Sequence, residues 1–114
     1  MSALTNQLSV VVGLYREQAD AAAECEAEHK KWRAKRFLTA MHEGQAKSAA
    51  MAENIAEADD RVSDLYSKRL IAAAVADSTK HKLMSLRTEI EWERTCAANR
   101  RAEDTFHAGD RSVT

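Results

Sequence analysis

The side chains best suited to chemistry lie in one run, His29-Lys30-Lys31-Trp32-Arg33-Ala34-Lys35-Arg36-Phe37. Five cations, Lys30, Lys31, Arg33, Lys35 and Arg36, interleave with two aromatic rings. Cations beside stacking rings are what single-stranded nucleic-acid binding uses. The same run also fits a solvated helix face over a core containing Trp32 and Phe37. Glu26 stands i,i+4 from Lys30 and Glu28 stands i,i+3 from Lys31, so part of the charge has an internal partner. A second basic cluster, Lys80-His81-Lys82 with Arg87, is expected to face helix positions 22–24, where Glu24 would match it.

Other constellations are thinner. Glu26-Ala27-Glu28-His29 contains one Glu-x-x-His step, the unit that di-iron bundles use twice. Three residues before His81 and His42 stand Ser78 and Thr39 rather than glutamates, and Asp104–His107 is the remaining acid–histidine pair. Cys25 and Cys96 form no CxxC and read as small apolar residues of a reducing compartment. No serine sits on a strand-to-helix elbow, and the three glycines are isolated, so no phosphate-cradling loop is formed. The expectation is a protein with no catalytic residues, no cofactor and no metal.

Those side chains must be positioned by helices. The chain has 114 residues, 31% charged, 5% aromatic, no proline and about a fifth alanine, a composition of long helices or coiled coil in one domain. A net charge of −1 disfavours a general polyanion binder, whose affinity comes from excess Lys and Arg. No basic n-region with an Ala-x-Ala cleavage site and no long apolar run is present, so a soluble protein in the cytoplasm is expected.

Breakers and caps divide the chain. Leu4, Leu8, Val11, Tyr15, Ala19 and Ala22 recur at helical spacing, predicting a helix over 3–43 with Ser2 as N-cap. Gly13 inside it reads as a close-packing position or a frayed start. His42-Glu43-Gly44 places glycine where a left-handed residue closes a helix. Ser48 can cap a short helix over 48–57, which would fold Met51 and Ile55 over the turn. Asp59-Asp60 starts the last helix, 59–107, with an N-cap acid and a second acid complementing the dipole. Val62, Leu65, Ala72, Ala76, Thr79, Leu83, Leu86, Ile90 and Ala97 follow one heptad frame, interrupted by Arg69, Glu93 and Arg100. Residues 1–108 form the single domain and 109–114 a disordered polar tail.

The fold expected is all-α: an antiparallel long-helix hairpin with a short connecting helix, coiled-coil-like, assembling into a dimeric four-helix bundle. Setting Met41 near Val62 puts Trp32 beside Ala72, Ala73 and Ala74, and Ala19 to Ala23 beside Leu83, Met84 and Leu86. Large then faces small. This register separates Cys25 from Cys96 by roughly 24 Å. One hairpin buries only one stripe per helix, so a second copy is the expected partner of Tyr15, Tyr66, Leu70 and Trp92.

Glu43-Gly44, the segment Ser48-Ala49-Ala50-Met51-Ala52-Glu53, Ala58-Asp59-Asp60-Arg61-Val62 and Lys82-Leu83-Met84-Ser85-Leu86-Arg87 together resemble small helical-hairpin proteins of tailed bacteriophages. Asp59-Asp60 replaces the Asp-Pro common in that group and keeps the N-cap. The group has no established activity, and its members are often encoded beside recombination and single-strand annealing genes. The resemblance implies a phage accessory role in the host cytoplasm; with the packing argument above, the expected protein self-associates and binds a phage or host protein, in DNA recombination or replication. A single-stranded nucleic-acid module using residues 30–36 and a host-directed inhibitor are the alternatives.

Overall fold

A computed structural model describes the backbone of residues 3–113 and the side chains of residues 3–106. Three helices make up the described chain: α1 (Ala3–His42), α2 (Ala49–Ala58) and α3 (Asp60–Val113). The molecule is very elongated, with extents of 96 × 23 × 14 Å. Its radius of gyration is 26.5 Å, against about 13 Å for a compact domain of this length. Among the described residues no helix is long and apolar enough to cross a membrane.

Local chemistry sets the helix ends. Gly44 has φ 73, the left-handed conformation that closes α1. Glu43 N donates to Thr39 O at 2.9 Å and Ala46 N to Ala40 O at 3.1 Å, so the last carbonyls of α1 are satisfied. Ser48 is extended, and its hydroxyl accepts from Met51 N, capping α2. Asp59 ends α2 and begins α3. Its Oδ1 accepts from Arg61 N at 3.0 Å and Val62 N at 3.2 Å. Ser2, expected to cap α1, lies outside the described residues.

Gly13 lies within continuous helix, and a Cβ added there would meet nothing within 4 Å. The close-packing reading of Gly13 is therefore corrected, as is the frayed start. The helix of α3 continues to Val113, through the segment expected to be a polar tail. No proline interrupts it, and one interior glycine costs only about 1 kcal/mol. Thr114 lies outside the described residues.

The long helices run side by side in opposite directions, in a register unlike the one expected from side-chain size. Val11 packs with Leu83 and Leu86, joined by Leu4, Leu8 and Val12. Glu26 pairs with Arg69, His29 with Tyr66, and Arg36 with Asp59. Relative to the Met41–Val62 alignment, α3 is displaced by about nine residues, roughly 13 Å at 1.5 Å per residue. Trp32 therefore lies against Arg61 rather than the alanines. Cys25 falls about 26 residues from the level of Cys96, roughly 39 Å, and both are free.

The displacement comes from α2. Ala52 packs with Ala40 and Ala46 under Phe37 and Ile55, so α2 lies back along the last turns of α1 instead of capping the turn. This returns Asp59 to the level of Arg36. Met51 stays exposed.

Candidate functional site

The richest polar cluster forms where the seam of α1 and α3 meets α2. Arg69 is the first of the three residues that interrupt the heptad frame, and its position shows why. One guanidinium nitrogen lies 3.1 Å from His29 Nδ1 and the other donates to Glu26 Oε1 at 3.3 Å. Arginine has only donors, so His29 Nδ1 accepts and the imidazole carries its proton on Nε2. The Tyr66 ring packs at 5.2 Å, tilted 47°, and His29 is only 6% exposed.

Burial first, then the charges of Arg69 and Arg33, push the His29 imidazolium below its ordinary range. His29 is thus neutral near pH 7, with Nδ1 already engaged. Glu26 accepts from Lys30 at 2.9 Å as well as from Arg69. The hydrogen bond and charge of Lys30, followed by the charge of Arg69, hold its carboxyl below the usual carboxylate range. The Glu-x-x-His step therefore faces a guanidinium, which supplies the cation between the two groups. The side chain of His107, partner of Asp104 in the sequence reading, lies outside the described side chains.

The five cations of the basic run are distributed by the fold. Lys30 pairs with Glu26, Arg33 donates to Glu57 of α2 at 2.9 Å, and Arg36 pairs with Asp59 at 3.3 Å while reaching Gln45 at 3.0 Å. Lys35 Nζ sits 4.6 Å from the centre of the Trp32 ring, and the Arg61 guanidinium 3.5 Å from it. Trp32 is half-buried at the surface, and its indole N–H donates to Glu28 at 3.2 Å. The expected Glu28–Lys31 pair is replaced by that contact, which leaves Lys31 exposed without an ion-pair partner among the described residues. Two of the cations, Arg33 and Arg36, thus brace the joint of α1 with α2 and α3. The exposed Arg33–Glu57 pair contributes on the order of 1 kcal/mol or less. Its geometry fixes the angle of the joint more than its stability.

Beside the cluster lies an open hollow of about 470 Å³, lined by His29, Arg33, Glu57, Val62, Ser63 and Tyr66. Two of its polar side chains are engaged, Arg33 with Glu57 and His29 Nδ1 with Arg69. The arrangement orients the three helices at their joint.

The second basic cluster is also rearranged. His81 pairs with Asp77 on its own helix at 3.3 Å, and the register carries Glu24 about nine residues from the expected level. Lys82 lines a shallow surface with Asn6, Gln7, Val10 and Val11.

The residues expected at an oligomer interface do not form one patch. Tyr15 is half-buried near the seam. Tyr66 and Leu70, 48% and 51% exposed, share one flank of α3. Trp92 lies about 33 Å further along. Sequence reasoning missed Val10, Leu14, Ile71 and Val75, all exposed. The available signal was two aliphatic i,i+4 pairs lying off the heptad frame. Compared with known proteins, the chain matches no family model, no curated protein and no solved structure.

Proposed function

We propose that this chain is a non-enzymatic interaction protein that self-associates, each copy supplying a helical hairpin to a dimeric four-helix bundle. In this reading the bundle serves as an accessory that binds another protein in the cytoplasm, in keeping with the phage hairpin proteins it resembles in sequence.

One observation carries the proposal: the described chain has no large side chain in a fully closed interior. The residues with 0% exposure are Ala40, Ala52 and Ala56, all alanine. Large apolar side chains such as Val10, Ile71 and Trp92 are 64–71% exposed. The accessible surface is 8719 Å² for 12.7 kDa. A compact monomer of that mass exposes about 6,200 Å², leaving an excess of about 2,500 Å². A stable interface takes about 800 Å² from each partner. A second copy can therefore bury the missing area without any change of fold.

The test is light scattering or sedimentation equilibrium at tens of micromolar protein, in salt high enough to screen surface ion pairs. A dimer or larger species is expected, and a monodisperse monomer overturns the proposal. A single-strand nucleic-acid role is less well supported, because Lys30, Arg33 and Arg36 are held by carboxylates of the same chain.

A further inference from the structure

We infer that the second copy docks on the Trp32 side of the α1–α3 pair, about a two-fold axis parallel to the long helices, so that α1 of each copy lies on α3 of the other. This rests on the self-association proposed above and specifies its face and register.

The two sides of the pair differ. Tyr66 marks one side, with His29, Arg33 and α2 around it. There the cations Lys30, Arg33, Arg36 and Arg69 are all matched by Glu26, Glu57 and Asp59 of the same chain. Trp32 marks the other side, through its contact with Arg61.

Leu14 precedes Trp32 by eighteen residues, about five whole turns, and so has the same direction on α1. Val10 sits one turn before it. On α3, Val75 follows Arg61 by about four turns and Ile71 stands one turn before Val75. The Trp32 side thus collects four large aliphatic side chains: Val10 at 71%, Leu14 at 43%, Ile71 at 64% and Val75 at 45% exposure.

Polar groups on this side are incomplete. Gln18, one turn after Leu14, has a buried Oε1 with no donor among the described residues. Buried acceptors of that kind normally have a partner. On this side α1 carries the acids Glu17 and Glu24 and α3 the cations Lys68 and Lys82, none with an ion pair among the described residues.

These charges choose the geometry. Stacking α1 on α1 and α3 on α3 would keep Glu17 and Glu24 apart from Lys68 and Lys82. An axis parallel to the helices instead lays α1 on α3 of the second copy and keeps every residue at its own level. That level is fixed by Glu26–Arg69 and Arg36–Asp59, so Glu17 falls within about one turn of Lys82 of the other copy. Glu24 falls likewise near Lys68. Opposite charges then flank an aliphatic centre on both halves of a self-complementary surface.

The experiment uses sedimentation equilibrium on the full chain, with helicity checked by circular dichroism. Ile71→Asp should weaken the dimer by about a hundredfold. Leu70→Asp, on the Tyr66 side and similarly exposed, should leave it intact. Glu17→Lys and Lys82→Glu alone should each weaken it by about tenfold, since each homodimer juxtaposes like charges twice. Mixing these two variants should restore a heterodimer of wild-type affinity, which an attraction within one chain cannot produce. If Ile71→Asp unfolds, the mixing experiment decides by itself. A wild-type monomer overturns both self-association and this face. A wild-type dimer in which Leu70→Asp dissociates the copies, or in which mixing restores nothing, overturns the face and leaves self-association standing.

Discussion

Leu83→Ala tests the packing of the long helices most directly. Leu83 is 7% exposed in contact with Val11 and Leu86, with Leu4, Leu8 and Val12 around them. The substitution removes three side-chain carbons, a transfer loss of about 2.4 kcal/mol at about 0.8 kcal/mol per methylene. A rigid core would add a cavity penalty, but the partly exposed Leu4, Leu8 and Val12 can move into the space. The expected cost is therefore about 2–3 kcal/mol, the lower end for buried leucine. Leu70→Ala, at 51% exposure, should cost under about 1 kcal/mol. Urea unfolding followed by the helical circular-dichroism signal measures both, at one protein concentration because association contributes to apparent stability. Combining Leu83→Ala with Val11→Ala adds a register test. Contacting residues couple by about 0.5 kcal/mol or more, whereas residues a dozen ångströms apart add. Full additivity, or a Leu83→Ala cost no larger than that of Leu70→Ala, refutes the reasoning.

Two further outcomes follow from the joint. The folded His29 has a lowered pKa, so as pH falls the unfolded chain takes up the proton first. The His29 contribution is fully present above the unfolded value, about 6.5, and declines as pH drops below it until the folded form also protonates. Wild type should lose stability as pH falls below about 6.5, and His29→Gln should show a shallower slope there by denaturant titration. Equal slopes contradict the assignment. Asp59→Ala removes the acceptor for Arg61 N and Val62 N and the ion pair to Arg36, and should cost about 1–2 kcal/mol. Asp59→Asn should recover most of the loss, since it can still cap; equal losses in the two variants would make the Arg36 pair the larger contributor.

How much was legible in the residues depended on how local each determinant is. The caps at Ser48 and Asp59 and the closing glycine at Gly44 act within four residues of backbone, and the structure shows each in its expected conformation. The Glu26–Lys30 pair is local in the same way. The basic run illustrates the opposite case. The partners of Arg33 and Arg36 lie 24 and 23 residues away, on α2 and at the start of α3, so no spacing rule within the run could find them.

The sequence by itself determined that this chain is helical and where its three helices are divided from one another, but not where α3 ends. Those outcomes rest on propensity, periodicity and capping. Tertiary structure alone decided the register. A seam rich in alanine is nearly degenerate to sliding, because moving one helix by two turns exchanges one small residue for another. The choice fell to α2 folding back along α1, which brings Asp59 to Arg36, and to Arg69, which finds both Glu26 and His29 only in this alignment. Polar groups with few acceptable partners fixed what interchangeable alanines could not.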